Sequence, residues 1–291
     1  MLAYVNALFC CSAKGGYLTP RCHSDQRHRS TLCSLKLSVS IFCKLLCAVG
    51  LLALPSCSKD DPSPCAPYIA PRPADVYVSP LRPGVPGWAL ITTTAEMVQV
   101  LQVPTGVLQS ISTPGLLVTC LEYPLLPDIH LANRLQPAFR TVLGNFNGYG
   151  ELRQRSEAAV LLLNHYQLMM PACLPAPAQQ ATYSFSFSYV ELLLAQDEYL
   201  AQLSSAQRRS LLREARTKYA AKKPLVDDVY GYFGLKTAVF VMARVMQAEQ
   251  FGPFVSAVAT DPKLQYFTAE AELQGQPQTL DTILTYAQQF N

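Results

Sequence analysis

The chain has 291 residues, half of them apolar, with ten cysteines and a formal net charge of +3. That length supplies one large domain, or two small ones, with a real hydrophobic core. The charge is unevenly placed: residues 1–56 hold Lys14, Arg21, Arg27, Arg29, Lys36 and Lys44 against Asp25 alone, a net of +5, so the rest carries −2 and gives no general electrostatic reason to bind nucleic acid.

Residues 1–35 are rich in Cys, Ser, Arg and His and show no apolar period, and no methionine stands between Met1 and Met97. Translation is therefore expected to start near residue 36, with residues 1–35 an upstream extension. Leu45 to Leu54 reads LLCAVGLLAL, directly after Lys44. Ten apolar residues are too few for a membrane-spanning helix, which needs about 20. They suit the apolar core of a secretory signal over 36–56, with Lys36 and Lys44 as its positive flank.

Leu54-Pro55-Ser56-Cys57 then resembles the bacterial lipobox, in which the cysteine is acylated and becomes the first mature residue. Pro55 departs from its usual small residue. Ser58-Lys59-Asp60-Asp61 resembles the export tag that follows the lipidated cysteine in Bacteroidota-type lipoproteins. This resemblance implies an outer-membrane protein, lipid-anchored through Cys57 and displayed at the cell surface. It covers about a dozen residues.

Residues 57–86 read as a tether, because Pro62, Pro64, Pro67, Pro71, Pro73, Pro80, Pro83 and Pro86 fix φ and remove backbone donors. Such a segment would hold a domain, expected over 87–291 and ordered from near Trp88, away from the bilayer. With Cys57 lipidated, Cys65, Cys120 and Cys173 remain. One pair can form in an oxidising compartment, for which Cys120 and Cys173 are the expected partners; buried thiols acting as small apolar groups are the alternative.

The domain reads as helical. Thr93 or Thr94 with Glu96 resembles a capping box for a helix ending at Pro104, and Thr105 opens a further turn. Thr113-Pro114 pairs an N-cap with proline at the first helical position. Pro137 to Phe146 reads as a helix stopped by Asn147-Gly148. Ser156 opens a helix carrying Ala159, Leu162, Leu163, Tyr166 and Met170 on one face, ended by Pro171, with 171–181 a loop. Tyr183, Phe185, Phe187 and Tyr189 alternate with serine as a strand would, but the run continues at helical spacing through Val190, Leu193 and Leu194, and the segment is assigned to helix. Ser204 or Ser205 opens the next. Gly234 to Gln250 is apolar nearly all round and should be the central helix, and Thr279 to Phe290 the last. The expected fold is all-α, one domain of about eight to ten helices in a stack or irregular bundle.

Chemistry-bearing patterns are sparse. His130 and His165 are the histidines of the body, each expected in a structural or solvated role, and no zinc-ligand spacing occurs. No nucleophile elbow, phosphate loop or dinucleotide fingerprint is present, and Asn147-Gly148-Tyr149-Gly150 is explained as a helix stop. Asp227-Asp228 in a loop offers too few oxygens for calcium. Neither a cofactor nor a metal is expected. The most unusual feature is the run Arg208, Arg209, Arg213, Arg216, Lys218, Lys222 and Lys223, opposed by Glu214. Arg208, Arg209, Arg213 and Arg216 could touch anionic headgroups or an acidic polysaccharide; the plainer reading is a solvated amphipathic face. The aromatic groups Tyr183 to Tyr189 and Tyr230 to Phe233 could form a carbohydrate platform or, more simply, core.

From Trp88 on, the segments Thr94-Ala95-Glu96-Met97, Gln102-Val103-Pro104, Leu121-Glu122-Tyr123-Pro124 and Phe146-Asn147-Gly148 resemble those of uncharacterised helical proteins exported by bacteria. This implies a secreted helical domain and assigns no site residue. Two function classes follow: a surface-displayed binding or structural module, with an envelope protein or polysaccharide as partner, and an extracytoplasmic hydrolase with a carboxylate-based site.

Overall fold

A computed structural model describes residues 65–290, so Cys57, Ser58, Lys59, Asp60 and Asp61 lie outside the described residues, as do the segments read as extension and signal. Thirteen α-helices follow one another: α1 (Thr94–Val100), α2 (Thr105–Ser110), α3 (Thr113–Leu121), α4 (Leu135–Gly144), α5 (Asn147–Leu152), α6 (Ala158–Leu168), α7 (Pro177–Leu194), α8 (Asp197–Gln202), α9 (Ser205–Lys222), α10 (Gly231–Ala248), α11 (Gly252–Thr260), α12 (Pro262–Glu270) and α13 (Gln278–Gln289). No strand occurs among the described residues, and the fold is all-α. No helix among them is long and apolar enough to cross a membrane.

Local chemistry sets several helix starts. Thr93 caps α1 in a full capping box: its hydroxyl accepts from the Glu96 amide, and the Glu96 carboxylate accepts from the Thr93 amide. Ser204 and Gln207 do the same for α9. At α3 the cap is Ser112, one residue before the expected Thr113, with its hydroxyl accepting from the Gly115 amide. Ser156 does not cap α6; Glu157 occupies that position without a side-chain cap bond.

Three expected breaks are wholly or partly helical instead, one of them the loop 171–181, whose residues from Pro177 on belong to α7. Asn147-Gly148 does not end α4, which stops at Gly144, but opens α5. The Asn147 amide group is spent on the neighbouring chain, where its oxygen accepts from the Val103 amide and its nitrogen donates to the Val103 carbonyl. Asp227-Asp228 lies in a wide helical turn, Val226–Tyr230, that runs into α10 through Gly231 at φ 58 and ψ 175. That backbone conformation is open essentially to glycine alone.

The hydrophobic centre is α10, with Leu235, Ala238, Val239, Phe240, Val241, Met242, Ala243, Val245 and Met246 all buried. It is packed against α9, α7, α13, α11, α12 and α8. Each large side chain removed from water there contributes roughly 1.5–3 kcal/mol before entropy is counted. The alternating segment at 183–189 is part of α7: Pro177 sits at its first position, and α7 is lined by α6, α10, α3 and α8. Contact on several sides, and not strand pairing, is why its apolar residues fall on every face.

From Cys65 to Gly87 the proline-rich segment forms no helix or strand, but it bends through several turns and lies on the domain instead of standing off it. A disulfide joins Cys65 to Cys173 across 108 residues. Arg72 pairs with Glu122, and the Asp75 carboxylate accepts from the Ser112 amide at 2.6 Å and from its hydroxyl at 3.1 Å. The Tyr77 amide donates to Thr119 Oγ1, and Ser79 is buried and donates to the Leu81 and Val100 carbonyls. The expected Cys120–Cys173 pair is therefore incorrect. Cys120 is a buried thiol on α3 whose ionisation is pushed far up by burial, while the docked strap delivers Cys65 to Cys173.

Candidate functional site: a basic groove between α9 and α13

The run of cations at 208–223 is divided by helical geometry, because neighbours in sequence point about 100° apart. Arg208 is structural: Nε donates to Glu249 Oε1 at 2.5 Å, and Nη1 to the carbonyls of Leu200 and Leu203. It ties the start of α9 to the end of α8 and the end of α10. Arg209 is exposed and lies 3.8 Å from the same Glu249. Lys218 is buried, donating to Glu214 at 3.2 Å and to the Gln167 carbonyl at 3.3 Å.

Lys222 is fully buried. Its Nζ lies 2.7 Å from Glu191 Oε1 and 3.1 Å from the Gly234 carbonyl, and 4.9 Å from the centre of the Phe187 ring. Tyr166 donates to Glu191 Oε1 and Thr237 to Oε2. Burial lowers the lysine's proton affinity and the Glu191 charge restores part of it. Four helices (α6, α7, α9 and α10) meet on this one carboxylate. It is closed to solvent and is a structural joint.

What remains of the run faces outward. Arg213, Arg216 and Lys223 line an open groove of ≈ 920 Å³ between α9 and α13. Tyr219 and Leu284 form its apolar part, and Asp281, Thr285 and Gln288 supply the α13 side. No carboxylate among the described residues approaches within 4.0 Å of the three cations. Arg216 Nη1 makes one long bond, 3.4 Å, to the Ala287 carbonyl near the end of α13, a favourable place for a cation. Lys223 Nζ stands 6.0 Å above the Tyr219 ring. Burial, and then the charge of Asp281, hold the Tyr219 phenol protonated above its usual range. The groove thus offers three positive donors, a ring face and a polar rim. Such a set of groups is able to hold an anionic group with hydroxyl-bearing neighbours.

Of the four arginines expected to act together, the structure brings Arg213 and Arg216 to the groove, commits Arg208 to the fold, and leaves Arg209 beside Glu249. Lys223 was legible as part of the charge run; Asp281, Thr285 and Gln288 on α13 carried no sequence signal. The two aromatic groups meet around His130, whose ring lies 4.0 Å from Phe185, 4.2 Å from Phe233 and 5.4 Å from Tyr189. Phe187, Tyr189 and Tyr230 are core, whereas Phe185 and Tyr232 are exposed. Burial, and secondarily Lys236, push His130 down to about 4. His165 is also lowered by burial, with Tyr68 of the strap edge-on to its ring. No cluster of three or more metal-ligating side chains occurs among the described residues. No protein family, curated protein or solved structure compared with this chain matches it.

Proposed function

We propose that the chain is a surface-displayed lipoprotein of the bacterial outer membrane, anchored through Cys57, whose helical domain is a binding module for an acidic polysaccharide. One observation carries the binding reading: Arg213, Arg216 and Lys223 share an open groove, outnumber its one carboxylate, Asp281, and form no ion pair within 4.0 Å among the described residues. Uncompensated cations beside a ring face and hydroxyl-matching groups recognise a carboxylated sugar better than a neutral one. A carboxylate-based hydrolase would want two carboxyl groups flanking the scissile bond. The groove lining includes Asp281 as its carboxylate, which favours binding over hydrolysis. The anchoring reading rests on Leu54-Pro55-Ser56-Cys57 and Ser58-Lys59-Asp60-Asp61.

The test has two arms. Metabolic labelling with a clickable fatty acid, followed by protease shaving of intact cells, is compared between wild type and Cys57→Ala. Label lost in the variant and shaving of the wild type support the anchor; label unchanged in the variant, or absent from both, overturns it. Affinity electrophoresis of the purified mature protein through polygalacturonate and through neutral dextran tests the groove. Retardation by polygalacturonate alone, weakened about tenfold (roughly 1.4 kcal/mol) in Arg213→Glu/Lys223→Glu, is expected. Equal retardation of variant and wild type overturns the groove as the site.

A further inference from the structure

Three large apolar side chains lie exposed along the strap and the end of α6, around the disulfide that joins the two: Ile69 at 83%, Leu168 at 52% and Met170 at 54% exposure. They belong to one neighbourhood. Met170 Sδ is 4.0 Å from Cys173 Sγ, Cys173 is bonded to Cys65, and Tyr68, next to Ile69, packs on His165, one turn before Leu168. Isolated apolar residues on a surface need no explanation, but several gathered at one place mark a contact.

We propose that this patch rests on the lipid bilayer, so that the Cys65–Cys173 bond seats the domain against the membrane. The inference rests on the reading that Cys57 carries the lipid. Cys65 stands eight positions after Cys57, and an extended chain advances at most about 3.5 Å per position, so the bonded cysteine lies within about 28 Å of the lipid attachment point. Without the disulfide and the docked strap, thirty-one residues would separate the lipid from Trp88, a reach of about 100 Å. The disulfide converts a long leash into a short one whose near end is the patch itself. The bilayer is the partner that this geometry brings to the patch, and its interfacial region accepts partly exposed Ile, Leu and Met side chains.

The experiment uses the full, cell-processed protein purified in detergent and reconstituted on phosphatidylcholine–phosphatidylethanolamine vesicles. A nitroxide is placed by Leu168→Cys, with the exposed Gln265 of α12 replaced likewise as reference; the native Cys120 is buried and does not compete. Mass spectrometry of each sample reports the lipid on Cys57. With lipid present, access of a water-soluble nickel complex to position 168 should fall several-fold below that at 265, and Ile69→Asp/Met170→Asp should restore it. Lipid present with equal nickel access at both positions overturns the seating alone. Absence of the lipid mass overturns the anchor reading and this proposal with it.

Discussion

Lys222 Nζ stands 2.7 Å from Glu191 Oε1 with both side chains wholly removed from solvent, and the same carboxylate accepts from Tyr166 and Thr237. Desolvating two charges is costly, and here the cost is offset by a filled set of donors around the carboxylate. Lys222→Met leaves Glu191 buried without its counter-ion, and should destabilise the domain by about 3–5 kcal/mol. Lys222→Met/Glu191→Gln should recover part of that loss. Urea unfolding of the three proteins measures it; a Lys222→Met midpoint equal to wild type would show that the joint does not hold the helices.

Arg208 and Arg213 look alike in sequence and are expected to behave differently. Arg208→Ala removes bonds to Glu249 and to two carbonyls, and should lower stability by roughly 1–3 kcal/mol. Arg213→Ala touches a solvated groove and should stay within about 0.5 kcal/mol of wild type. Binding to polygalacturonate should show the opposite order, with Arg213→Ala the weaker binder. Thermal melts beside electrophoresis separate the two roles.

The disulfide prediction follows from loop length. Cys173→Ser and Cys65→Ser should each destabilise by about 2–4 kcal/mol, while Cys120→Ala should leave the bond intact. Thiol counting in denaturant checks the pairing: wild type from Cys65 to the end should show one free thiol, and Cys120→Ala none. An oxidised Cys120 in the wild-type protein would contradict the assignment.

His130 sets an acid limb. Its folded proton affinity is pushed from the usual 6.5 down to about 4, first by burial and then by Lys236. Between those values the unfolded chain binds the proton and the folded one resists it, so stability falls as pH drops from 6.5 towards 4. Allowing for partial exposure, the loss amounts to at most about 2 kcal/mol. His130→Phe keeps the ring stack and should flatten that part of the stability–pH curve, with His165 contributing a smaller slope of the same sign in both proteins. Equal slopes in the two proteins would assign the acid sensitivity elsewhere.

The sequence by itself determined the all-α fold, a capping box at Thr93 or Thr94, a helix start at Ser204 or Ser205 and the central place of α10. These are decided within a turn or two of the chain: a hydroxyl reaches an amide three residues on, and an apolar residue repeats every third or fourth position. Tertiary structure decided the rest. Cys173 bonds Cys65 and not Cys120 because the proline-rich strap, anchored by Asp75 and Tyr77, carries it across the domain. Asn147-Gly148 opens a helix because the Asn147 side chain is held by Val103, forty-four residues away. The basic run became a tie at Arg208, a buried lysine at Lys218, a joint at Lys222 and one groove because α10 covers the face bearing Lys222, while α13 leaves Arg213, Arg216 and Lys223 open to water. A charge pattern fixes the angular position of each side chain on its helix; only the packing of the other helices fixes which of those positions meet solvent.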